Sequence, residues 1–143
     1  TAREMGLACA RAGACVVSGL AVGIDTAAHE GALAAGRGAG RPVAIVGSGL
    51  DVVYPARSRR LWEAVAREGA VISEYPLGTS PAPWRFPARN RLIVAASDVV
   101  VVVESHGAGG ALITARGTVS QYAVVCICCS GRSSSPEPMF SFV

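Results

Sequence analysis

Cys15-Val16-Val17-Ser18-Gly19-Leu20-Ala21-Val22-Gly23-Ile24-Asp25-Thr26-Ala27 passes from a short apolar run of β type, through a glycine loop, into a helix start. Cys15 to Ser18 is expected to be a strand and Gly19 to Gly23 a tight loop. Asp25 and Thr26 offer an N-cap for a helix over Ala27 to Ala35, which Gly36 stops. Glycines in such a loop let backbone N–H groups approach an anion, and the following helix adds the positive end of its dipole. The same residues would also serve as a tight strand-to-helix turn with no ligand.

The pattern repeats outward from this stretch. Thr1 to Ala14 predicts the end of a helix, with Gly13 at its C-terminus. Pro42 to Val46 is apolar throughout, as a strand covered on both faces would be, and Gly47 and Gly49 follow it. Ser58 can cap a helix over Arg59 to Arg67, with Leu61, Trp62 and Val65 as its apolar stripe, before a third strand at Ala70 to Ser73. Tyr75 to Pro87 carries four of the eight prolines and is expected to be an exposed loop. Arg89 to Ser97 predicts a short helix, Asp98 to Glu104 a buried strand, and Ala123 to Cys129 a last strand beyond the glycine-rich stretch His106 to Gly110. Strand, loop and helix repeated in this way predict an α/β fold with a mostly parallel sheet. Ligands of such sheets sit outside the carboxyl ends of the strands, where the loops starting at Gly19, Gly47, Tyr75 and Ser105 should converge.

The 143 residues suffice for one hydrophobic core, taken as residues 1–130, with residues 131–143 expected to be a disordered tail, and the Cys and Ser content of Gly117 to Val143 suggests a frameshift. A composition 51% hydrophobic and 16% charged excludes a disordered chain and favours elements buried on more than one face. The net charge of +3 is too small to argue for a nucleic-acid partner by itself, so the distribution of charge must. All 13 basic residues are arginine, whose planar fork suits phosphate, although codon bias explains the missing lysines as well. Five unevenly spaced cysteines suit a reducing cytoplasm, and the valine run Val99 to Val103 is far short of the ~20 residues that cross a membrane.

The stretch Trp84-Arg85-Phe86-Pro87-Ala88-Arg89-Asn90-Arg91 combines guanidinium groups for phosphates with Trp84 and Phe86 for bases, the pairing that single-stranded nucleic acid calls for. An arginine-lined turn with buried aromatics would look the same. Gly47-Ser48-Gly49 is half of a dinucleotide fingerprint without its third glycine, and no P-loop lysine follows either glycine loop, so no nucleotide cofactor is expected. Catalytic groups are sparse. His29 and His106 lie on different elements, His29 suits a helix surface or packing, Asp25, Asp51 and Glu74 suit caps and loop anchors, and no metal set emerges from Cys126-Ile127-Cys128-Cys129.

Five segments taken together resemble the DNA-processing protein A (Smf) family. They are Val17 to His29, Gly47 to Pro55, Ser73 to Pro76, Phe86 to Arg91 and Leu112 to Ala115. The resemblance covers roughly Ala8 to Arg116. It implies a Rossmann-like three-layer fold, incomplete at the N-terminus because the family's opening strand and Gly-Ser-Arg loop are absent. It further implies sequence-independent binding of single-stranded DNA, loading of the RecA recombinase in natural transformation, no catalysis, and a homodimer whose contacts depend on regions near or beyond Arg116. Carried over by residue, Ser18, Gly19 and Gly23 would contact phosphate and Phe86 a base. Arg89, Asn90 and Arg91 would bind DNA or shape its pocket, Arg85 would supply positive charge before Phe86, and Gly109 and Gly110 match a small-residue loop. Ser58 stands where the family pattern has Asn. The competing readings are a phosphoribohydrolase of the Lonely Guy type and a gene fragment without function. The former's catalytic glutamate has no counterpart after Ala108-Gly109-Gly110-Ala111.

Overall fold

The structure is a computed structural model that describes residues 1–104 and 123–128. In chain order its elements are α1 (Ala2–Arg11), β1 (Cys15–Ser18), α2 (Ile24–Ala34), β2 (Val43–Val46), a single 3-10 turn (Ala56–Ser58), α3 (Arg59–Glu68), β3 (Ala70–Ser73), α4 (Arg85–Ala95), β4 (Val99–Glu104) and β5 (Ala123–Cys128). One sheet holds all five strands in the order β3-β2-β1-β5-β4. The pairs β1–β2 and β2–β3 are parallel, with Val17 opposite Val43 and Ile45 opposite Ile72. Strand β5 runs antiparallel to both β1 and β4, so β1 to β4 point one way and β5 alone opposes them.

Alternation along the short strands builds the layers, because successive side chains leave a strand on opposite faces. Val16 packs with Ala10 of α1 and with Ala28 and Ala32 of α2. Ala44 and Val46 meet Trp62 and Val65 of α3 in the same way. Val17 and Ile45 instead face Ile93 of α4. Three helices thus cover one face and α4 the other, the three-layer α/β arrangement expected. Helices α1 and α2 approach to backbone contact, since a Cβ on Gly6 would overlap the Ala28 carbonyl and one on Gly31 the Arg3 carbonyl.

Four local expectations are corrected. Helix α2 begins at Ile24 with Gly23 as N-cap, because Asp25 and Thr26 turn their side chains back to the preceding loop. Helix α4 begins at Arg85, four residues before the expected start. Pro87 lies in its first turn, where a missing N–H leaves no helical hydrogen bond unmade, so the proline does not exclude a helix. Ser58 holds the N-cap position of α3 without a side-chain cap bond. Strand β5 opposes its neighbours, and nothing in an apolar run encodes its direction.

Candidate nucleic-acid interface

The parallel strands β1, β2 and β3 release their loops at one rim of the sheet, and the first of those loops is held from within. The buried Asp25 carboxylate accepts the N–H groups of Gly19 at 3.1 Å and Ala21 at 3.2 Å through Oδ2, while Thr26 Oγ1 donates to the Ala21 carbonyl at 2.8 Å. Asp25 therefore occupies two of the amides that the sequence offered to an anion. The N–H groups of Val22 and Gly23, at the exposed tip of the loop, have no protein acceptor among the described residues. Leu20 adopts a left-handed φ of 57°, at a cost of about 1–2 kcal/mol for a side-chain-bearing residue, and its fully buried side chain packs against Trp62 and Val65.

Helix α4 brings the arginines to this rim, each in a different state. Arg89 is 4% exposed and donates from Nη1 to the carbonyl of Gly19 at 2.7 Å and to that of Ile45, and from Nε to Asn90 Oδ1 at 2.9 Å. It ties α4 to the ends of β1 and β2. A Cβ at position 19 would overlap the guanidinium, so any other residue there would push Arg89 off these hydrogen bonds. Arg85 donates to the Ser80 carbonyl and lies 5.0 Å from the ring centroids of both Tyr75 and Trp84. Arg91 is exposed and ion-paired with Glu74, a contact contributing at most about 1 kcal/mol.

A buried charged cluster sits under the loop. Burial pushes the Asp25 carboxyl up, against the pull of Arg89, the Ala21 N–H, the Ser18 hydroxyl and the Gly19 N–H. Burial likewise lowers the Arg89 guanidinium, and Asp25 counters it. His29 is fully buried beside them, with no well-formed hydrogen bond at either ring nitrogen. Burial lowers its pKa to about 4, with Arg89 adding to the fall and the Ser18 carbonyl opposing it. His29 is thus a neutral packing residue, and of the two places the sequence allowed it, helix surface or packing, the structure takes the second.

Above this floor lies an open cleft of about 310 Å³ lined by Gly19 to Val22, Tyr54, Pro55, Arg57, Phe86 and Arg89. Phe86 stacks on Tyr54, with ring centroids 5.5 Å apart and planes 27° from parallel. The start of α4 rests on Gly47, whose absent Cβ leaves room for the Phe86 ring. The second glycine loop is also pinned to the proline-rich one, through Gly49 N–H to the Thr79 carbonyl at 2.9 Å and Gly78 N–H to Asp51. Of the residues expected to act, Gly19, Phe86 and Arg89 line the cleft, Asn90 braces Arg89, and Ser18 lies buried beneath it. Arg85 and Arg91 point into other contacts, and Gly109 and Gly110 lie outside the described residues. Tyr54 and Arg57 were missed. The signal was an aromatic residue and an arginine three apart just after the second glycine loop, and the Arg57 guanidinium has no protein partner among the described residues.

Residues 1–138 match the family described as DNA recombination-mediator protein A. The chain belongs to that family. Its relatives in the family include Protein Smf of Synechocystis, 46% identical over 80% of this chain and 28% of that protein. Two solved family structures are similar. DNA processing protein A of Helicobacter pylori, whose structure concerns that protein's single-stranded DNA binding mode, is 32% identical with a TM-score of 0.66, over 80% of this chain and 53% of that one. The Streptococcus pneumoniae protein is 42% identical with a TM-score of 0.57, over 64% of this chain and 32% of that one. The chain spans about a third of the length of the curated family members it matches. These matches do not favour the phosphoribohydrolase alternative. No helix among the described residues is long and apolar enough to cross a membrane.

Proposed function

We propose that this chain binds single-stranded DNA, independent of sequence, in the cleft at the carboxyl rim of its sheet. It does so as a recombination mediator that loads RecA during natural transformation, in the cytoplasm and without catalysis. One observation carries the reading: the accessible Tyr54–Phe86 stack and the Arg57 guanidinium, which has no partner among the described residues, share a cleft with the glycine loop. A base has a π face whatever its identity, so an aromatic platform holds any sequence, and phosphates on either side need only donors. Phe86 and Tyr54 take the base, while Arg57 and the N–H groups of Val22 and Gly23 take phosphate. Ser18, Gly19, Arg89 and Asn90 shape the floor. Arg85 adds positive potential at the flank and Arg91 offsets Glu74 there, with Gly109 and Gly110 assigned to the site by family resemblance. Homodimerisation and RecA contact are carried over from the same resemblance.

Oligonucleotide titrations at several salt concentrations test the assignment. Phe86→Ala should weaken binding by about tenfold to a hundredfold, the worth of one stacked base, and leave the salt dependence as it was. Arg57→Ala should weaken binding of all sequences alike and reduce the slope of log K against log salt by about 0.7, one phosphate contact on a single strand. Unchanged affinity in both variants would remove the cleft from the binding surface.

A further inference from the structure

Trp84 stands apart from the cleft, yet it is 63% exposed, an unusual state for so large an apolar ring. It is also held rigidly. The Arg85 guanidinium lies 5.0 Å from the Trp84 centroid and 5.0 Å from that of Tyr75, and Tyr75 meets the indole edge to face, 6.4 Å between centroids and 83° between planes. Arg85 is fixed in turn by the Ser80 carbonyl. Most of the residue stays exposed with the cation and Tyr75 in place.

We propose that Trp84 is a second base platform, on which a single strand leaving the Tyr54–Phe86 stack lays a further base. The inference rests on the reading of the cleft as a DNA site. Three observations favour a nucleobase over a protein side chain as the occupant. Trp84 and Phe86 are two positions apart at the N-terminus of α4, which turns their rings to different sides but keeps them within reach of successive bases of one strand. The charge between them is positive, and the acidic neighbour Glu74 is neutralised by Arg91. The ring is already oriented, so stacking orders little that is not ordered beforehand. Arg85 acts here as the clamp that presents the indole, and its pairing with two rings accounts for its position outside the cleft.

The chain has two tryptophans, and the other, Trp62, is buried, so emission separates the two platforms. Oligo-dT binding, followed by anisotropy of a labelled strand, should quench the protein's tryptophan emission, and Trp84→Phe should bind with little loss while the quench disappears. Trp84→Ala should weaken binding of a long oligo-dT by about tenfold. That loss should vanish as the oligomer becomes too short to span both platforms, whereas Phe86→Ala should weaken every length. Binding with unquenched Trp84 would overturn the second platform, leave the cleft assignment standing, and give the exposed ring to a protein partner. An equal Trp84→Ala loss at all lengths would make the residue merely structural and also overturn it. No binding of any oligomer would instead refute the cleft, and the inference with it.

Discussion

Arg89→Ala is expected to destabilise the fold by about 2–5 kcal/mol, since each buried acceptor stripped of its donor costs about 1–3 kcal/mol. The buried carbonyls of Gly19 and Ile45 would lose their charged donor, and the Asp25 carboxylate, still held by the Gly19 and Ala21 N–H groups, would lose the positive charge near it. The two charges make no direct ion pair among the described contacts, so Arg89 acts through the loop it holds as much as through Asp25. Domains of this size are stable by only about 5–15 kcal/mol, so a large fraction of that margin is at stake. Urea unfolding followed by circular dichroism measures it. Pairing Arg89→Met with Asp25→Asn should recover part of the loss, because the stranded charge is gone. A single Arg89→Ala variant as stable as the parent would show that the guanidinium is not the tie between α4 and the sheet.

The second large effect is acid sensitivity through His29. Its pKa is lowered to about 4 in the folded protein against the ordinary 6.5, so the folded state resists a proton that the unfolded chain accepts. Stability from this residue is therefore complete above about pH 6.5 and is lost as the pH falls toward 4, by about 2 kcal/mol between pH 7.5 and pH 5. Asp25 works the other way. Its raised pKa means that the folded state takes up a proton more readily than the unfolded one, which softens the loss at lower pH. Because neither His29 nitrogen makes a well-formed hydrogen bond, His29→Leu should change stability little at pH 7.5 and should flatten the acid limb. Denaturation midpoints for both proteins at the two pH values decide it. An acid limb unchanged in His29→Leu would place the sensitivity elsewhere.

Much of the architecture was legible because apolar runs and glycine punctuation fix where strands begin and stop. Cys15–Ser18 and Ala70–Ser73 fall where the sequence placed them. Helix ends were less legible where a residue had two uses. Asp25 is a good cap by type, yet its carboxylate lies closer to the amides of its own loop. The Arg-Asn-Arg run shows the limit at the site. Arg89 and Arg91 are two apart on a helix, which sends them to different sides, and only the packing of α4 on β2 decides that Arg89 goes inward and Arg91 to solvent. The pairing of Tyr54 with Phe86 joins residues 32 positions apart and depends on the second glycine loop lying under the start of α4.

The central claim is where the strand lies, and photocrosslinking tests it most directly. Oligo-dT bearing a photoreactive halogenated uridine would be irradiated with the protein, and the modified peptides sequenced by mass spectrometry. Crosslinks should fall on Tyr54 and Phe86, with Trp84 as the second position. Crosslinks confined to α1 or to the exposed side of α3, with none at the rim of the sheet, would contradict the account.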